Sequence, residues 1–137
     1  MHVTDLKGSA DPGCSTRIIL GIDPGLARLG YGLVRAEGSS LSHLAHGCIT
    51  TPADLSVPAR LRILFDELER VRTVYSPTDV ALESVYHSRN VSTAALVGQA
   101  RGVAMLAAVD GDVRLGDRKS TRLNSSHIQK SRMPSSA

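Results

Sequence analysis

The run "RIILGID", Arg17 to Asp23, constrains this chain more than any other stretch. Its branched apolar residues are the type that fills a strand buried within a sheet. Yet it ends on a carboxylate and leaves at once through Pro24 and Gly25. A second acid, Glu83, sits at the end of "TDVALES", residues 78–84, another run of small and apolar residues. One such acid more often caps a turn than does chemistry. Two of them, at the ends of two buried strands, carry a further implication. If the strands are parallel neighbours, the carboxylates lie about 5 Å apart across the ladder. Carboxylates that close repel each other, and a divalent cation resolves the conflict. Hard oxygen donors with no His or Cys beside them suit Mg²⁺, and such a site serves phosphoryl chemistry. Gly30 and Gly32 would leave room there for a phosphate backbone.

The surrounding pattern predicts an α/β domain with a mixed sheet. Residues 17–23, 30–36 and 41–50 read as three strands on short links, an antiparallel meander. Ser56 is placed to cap a helix that tolerates Pro58 in its first turn. Leu61, Leu64, Phe65, Leu68, Val71 and Tyr75 form its apolar stripe, and Ser76-Pro77 ends it. Residues 78–84 read as the fourth strand, whose pairing partner the pattern leaves open. Residues 90–109 read as a second helix rich in small residues, with Ala94, Gly98 and Gly102 four apart. That spacing lets another element approach closely.

Composition narrows the class. With one Phe, three Tyr and no Trp, the core is aliphatic. No apolar run approaches the roughly 20 residues of a membrane span, and Gln99 and Arg101 interrupt the second helix. Residues 1–16 are polar, have no signal-peptide h-region, and read as a disordered extension. Cys14 and Cys48 form no metal-type pair and suit a reducing cytosol, so a cytoplasmic location is expected. The net charge of +3 belongs to the C-terminal end: from Asp117 onward five Lys or Arg face one acid, which leaves −1 for the rest. Charge outside that tail therefore gives no sign of nucleic-acid binding.

The tail itself changes character. "GDRKSTRLNSSHIQKSRMPSSA" has no apolar period and is rich in Ser and Arg. "DRKSTRLNSSH" and "SRMPSSA" resemble, in one frame, the conceptual translation of a common sequencing adapter. The expectation is a partial nuclease domain over residues 17–116, followed by a non-native disordered tail over 117–137. Asp117 would then be no ligand, and Asp110 and Asp112 fall too early, in a turn.

Past Glu83 the chain reads "SVYHSRN". Tyr86, an aromatic in a polar loop, suits either folding back onto the core or base stacking, with Arg89 touching phosphate. His87 reads as a surface residue. His43 and His46 have no partner acid at useful spacing, and no chemistry is assigned to them.

Together "ILGIDPG…GYG", "ALESVY…RN" and "GQARG", in this order and spacing, resemble the RuvC family of Holliday-junction resolvases. The resemblance runs from about Arg17 to Val113. It implies a ribonuclease-H-like fold with the fourth strand parallel to the first. It implies a metal-dependent endonuclease acting in DNA recombination and repair. The enzyme would be a homodimer nicking two strands of a four-way junction, with two Mg²⁺ per site that Mn²⁺ can replace. A branch-migration helicase complex is an implied partner. Asp23 and Glu83 match two of the family's catalytic, metal-binding acids. Tyr86 stands where the family usually has Phe, and Arg89 and Asn90 join it as expected DNA contacts. The family's two further acids, its last strand and its basic DNA-contacting residues find no match, so the chain as it stands is expected to be inactive. Two other readings share parts of this pattern: a ribonuclease-H-like RNA-processing nuclease, and a non-catalytic DNA-binding or dimerisation fragment. An actin-like ATP-binding half would require a second similar domain, for which no chain remains.

Overall fold

The computed structural model describes residues 15–84 and 90–119, with the side chains of 117–119 left out. Strands β1 (Arg17–Asp23), β2 (Arg28–Glu37) and β3 (Ser40–Thr50) form the expected meander. Helix α1 (Val57–Tyr75), strand β4 (Asp79–Ser84), helix α2 (Val91–Ala108) and strand β5 (Arg114–Lys119) follow. The sheet order is β3-β2-β1-β4-β5. β1 pairs antiparallel with β2 and parallel with β4, and β5 lies parallel to β4. This settles the partner of the fourth strand, and α1 makes the crossover a parallel connection needs.

Strand β5 departs from expectation. The tail boundary anticipated at residue 116 falls inside it, because the ladder runs on from Asp79↔Arg114 to Ser84↔Lys119. An edge strand is held by backbone hydrogen bonds, which polar side chains do not prevent, so no apolar period was there to announce it. The preceding turn closes through Gly111 at φ +60°, a conformation that favours glycine.

Burial alternates along the strands. Leu20, Ile22, Leu29, Leu33, Ile49, Val80 and Leu82 face the helices and are buried with Leu64, Leu68 and Val71 of α1. Helix α2 contributes Ala100, Ala104, Ala107 and Ala108, all fully or nearly buried. It is long and apolar enough, by length and composition, to cross a membrane, which sequence reading had discounted. Its alanine side instead packs into the core cluster. Helix α1 begins as expected: Ser56 Oγ accepts the Ala59 N–H at 3.3 Å. It ends at Ser76, in the left-handed region at φ 46°, whose N–H reaches the Arg72 carbonyl. The opposite face of the sheet carries Asp23, Glu83, His43, His46 and Cys48, and no helix among the described residues.

One polar cluster ties three strands. Asp79, 8% exposed, takes two hydrogen bonds from Arg17, at 3.0 and 2.6 Å, and an ion pair from Arg114 at 3.2 Å. The Arg17 hydrogen bonds hold the Asp79 carboxyl below its ordinary range; burial pushes the other way, while Thr78 and the nearby charges add to the lowering. The contribution to stability is therefore full above the unfolded value of about 3.9 and is lost as pH falls through the lower folded value. We expect Asp79→Asn to cost about 1–2 kcal/mol at pH 7 and the difference to vanish in strong acid. Urea midpoints of both proteins across that range check it; a constant gap would remove the ion pair from the explanation.

Candidate metal centre

Asp23 and Glu83 lie on neighbouring strands. The parallel ladder pairs Ile19↔Asp79 through Ile22↔Leu82. Asp23 and Glu83 each follow that last paired level, towards the C-terminal ends of the two neighbouring strands. Ile22 and Leu82 are buried, so the alternation turns both acids to the opposite, uncovered face, and both are exposed. Neither makes an ion pair among the described residues. Two adjacent, exposed, uncompensated carboxylates are a donor set that fits a hard divalent cation. No group of three or more possible ligands exists among the described residues. Asp117 pairs with Leu82 rather than Glu83, so it does not share the level of the acid pair.

The turn after Asp23 is fixed from below. Pro24 and Leu26 are buried. A Cβ on Gly25 would run into the Arg28 carbonyl, so the turn closes only with glycine there. Buried Thr51, at the end of β3, donates from Oγ1 to the Leu26 carbonyl at 2.6 Å, and its N–H reaches the Ala27 carbonyl at 3.0 Å. Arg60 Nε donates to the same hydroxyl at 2.9 Å. Thr51 and Arg60 thus hold the loop that positions Asp23. Sequence reading missed them, since nothing local marks a threonine as the partner of a loop 25 residues away. Beside the acid, Asp23 pairs with Gly30, and a Cβ on Gly32 would meet nothing within 4 Å, so the floor is open as anticipated.

Of the residues expected to touch DNA, Tyr86 and Arg89 lie outside the described residues. Asn90 caps α2, accepting the Ser92 N–H at 3.0 Å. His43 and His46, to which no chemistry had been assigned, touch each other on the acid face. A groove of about 330 Å³ between β3 and α1, lined by Tyr31, Ile49, Ile63, Glu67 and Val71, contains neither acid.

The family model for the crossover junction endodeoxyribonuclease RuvC matches residues 19–125. The chain belongs to the RuvC family. That match runs past the boundary anticipated at residue 116. The RuvC of Alkaliphilus oremlandii is 52% identical over 93 residues, covering 68% of this chain and 57% of that protein. The RuvC of Heliobacterium modesticaldum is 46% identical over 106 residues, 77% of this chain and 65% of that protein. The chain thus spans under two thirds of these relatives. Among solved structures, T. thermophilus RuvC in complex with a Holliday junction substrate superposes with a TM-score of 0.72 at 24% identity, over 80% of this chain and 67% of that one. This likeness supports the ribonuclease-H-like reading of the mixed sheet, with β4 parallel to β1.

Proposed function

We propose that this RuvC-family sequence serves a metal-dependent endonuclease that resolves four-way DNA junctions by paired phosphodiester hydrolysis, in the cytoplasm. The observation that supports the reading is the parallel register of β1 and β4, whose last paired level, Ile22↔Leu82, is followed on each strand by an exposed acid. The T. thermophilus relative was solved with a Holliday junction, which supports that substrate class. Asp23 and Glu83 would hold Mg²⁺, with Mn²⁺ as a substitute. Bound there, the ion supplies a Lewis acid for the phosphodiester and an activated water. The two carboxylates orient it, Thr51 and Arg60 keep Asp23 in place, and Gly30 and Gly32 leave room for the phosphate backbone. A two-ion site would need more ligands than these two acids, so the 137-residue chain is expected to bind a cation without nicking.

Tyr86, Arg89 and Asn90 are proposed junction contacts. We expect Tyr86→Ala to weaken junction resolution 5- to 150-fold, on the scale of about 1–3 kcal/mol per stacked base, with little effect on linear duplex. Equal losses on both substrates would make Tyr86 a core residue.

A homodimer fits the outer side of α2, where Val91, Ala95, Gly98, Gly102 and Leu106 are exposed on one stripe. A Cβ on Gly102 would meet nothing within 4 Å. Gly102→Glu should therefore leave the monomer intact, or firmer by up to about 1 kcal/mol through helix propensity, while abolishing the dimer. Sedimentation equilibrium of both proteins decides it; an unchanged dimer would place the interface elsewhere.

The function is tested on a synthetic four-way junction, beside linear duplex and structured RNA, with a chain extended to the length of its relatives. Symmetric junction nicks support the reading. Preference for RNA would favour the RNA-processing alternative.

A further inference from the structure

His43 and His46 stand three apart on β3. In a regular strand that spacing sends side chains to opposite faces. Here the register shifts between Leu33 and Val34: Leu33 pairs with Ala45, Val34 with His43, and Leu44 is the extra residue. The bulge turns both imidazoles to the acid-bearing face. His43 Nε2 lies 2.9 Å from His46 Nδ1, with ring centroids 5.1 Å apart and planes tilted by 55°. Both side chains are exposed, and their cross-strand neighbours, Val34 and Gly32, bring no charge. Nothing would crowd even a Cβ above Gly32.

We propose that His43 and His46 form a two-imidazole site for a divalent transition ion of the Zn²⁺ class, separate from the acid pair. Zinc sits about 2.0–2.1 Å from imidazole nitrogen, so two ligands at a tetrahedral angle are about 3.3 Å apart. The present separation needs to open by only a few tenths of an ångström. The hydrogen now shared between the rings marks the position the ion takes. Whichever ring donates moves its N–H to its other nitrogen, so two neutral imidazoles face the ion and no proton is lost. The remaining coordination positions open to solvent and accept oxygen from water or a phosphate. The donors also sort the metals: imidazole nitrogen selects Zn²⁺ and its neighbours, whereas Mg²⁺ keeps to oxygen. Cys48, on the same strand, is committed to Arg28, whose Nε reaches its sulfur at 3.1 Å.

The test is calorimetric titration of the full chain with Zn²⁺ in excess Mg²⁺, read together with imidazole nitrogen NMR. Expected are binding with one ion per chain and ligation at His43 Nε2 and His46 Nδ1. Loss of an outer-shell partner costs about 10- to 100-fold in metal affinity, so His43→Gln and His46→Gln should each cost at least that. Cys48→Ser and Asp23→Asn should leave the site unchanged, while His2, His87 and His127, intact in every variant, set the background. Circular dichroism confirms that the exposed substitutions leave the fold intact. Wild-type Zn²⁺ affinity in the double His variant would overturn the proposal. So would loss of binding in Cys48→Ser or Asp23→Asn, which would move the ion to the thiol or the carboxylates. The result is independent of whether the family's nuclease activity is present, because binding and not cleavage is read.

Discussion

Asp23→Asn is expected to remove Mg²⁺ and Mn²⁺ binding at the acid pair and, in a chain extended to the length of its relatives, to reduce junction cleavage by about 10³-fold or more. The amide has nearly the same shape but no charge, and the Lewis-acid term it would forfeit is worth several kcal/mol, at 1.36 kcal/mol per tenfold in rate. Glu83→Gln should behave alike, since each acid follows the last paired level of β1 and β4. Junction binding should persist in both variants, because the carboxylates hold an ion and do not shape the fold. Mn²⁺ titration followed by electron spin resonance reads the first effect, and a nicking assay the second. Cleavage at near wild-type rate in either variant would remove that residue from the site. In the 137-residue chain, Mn²⁺ binding without nicking would assign a lack of activity to ligand number rather than to a failed fold.

Leu64→Ala should be the most damaging core substitution of α1. Leu64 is fully buried and belongs to the cluster that joins the helix to the sheet leucines. Truncation of such a leucine costs about 2–5 kcal/mol, from lost transfer energy and the cavity left behind. Domains have only about 5–15 kcal/mol to lose, and here helices cover one sheet face alone among the described residues. The expected outcome is a large fall in urea midpoint at unchanged slope, with a substantial unfolded population near body temperature. A loss under about 1 kcal/mol would mean that α1 packs loosely, since a collapsing site recovers most of the cavity term.

Much of this protein could be read from its residues because local rules act over short distances. Strand β1 matches its predicted span from Arg17 to Asp23, and α1 starts on Ser56 and stops at Ser76. The periodicity of Leu64, Leu68 and Val71 named the buried side of α1 before any fold was known. The two acids were legible as candidates, since a carboxylate closing each of two apolar runs stands out in the sequence. The family motifs then implied that the fourth strand lies parallel to the first.

Tertiary structure decided everything that depends on two distant segments meeting. Only the parallel pairing of β1 with β4 brought the ends of those strands, with Asp23 and Glu83, to one edge of the sheet. β5 was invisible because backbone pairing along an edge leaves no mark in side-chain hydrophobicity. Thr51 and Arg60 gained a positioning role only when β3 ended beneath the Leu26 carbonyl. His43 and His46, three apart and so nominally on opposite faces, share one face because a single extra residue at Leu44 shifts the ladder. Side-chain type and spacing fix what one element does with its own neighbours. Register, bulges and loop closure fix which elements become neighbours, and these are set by the summed packing and hydrogen bonding of the whole sheet.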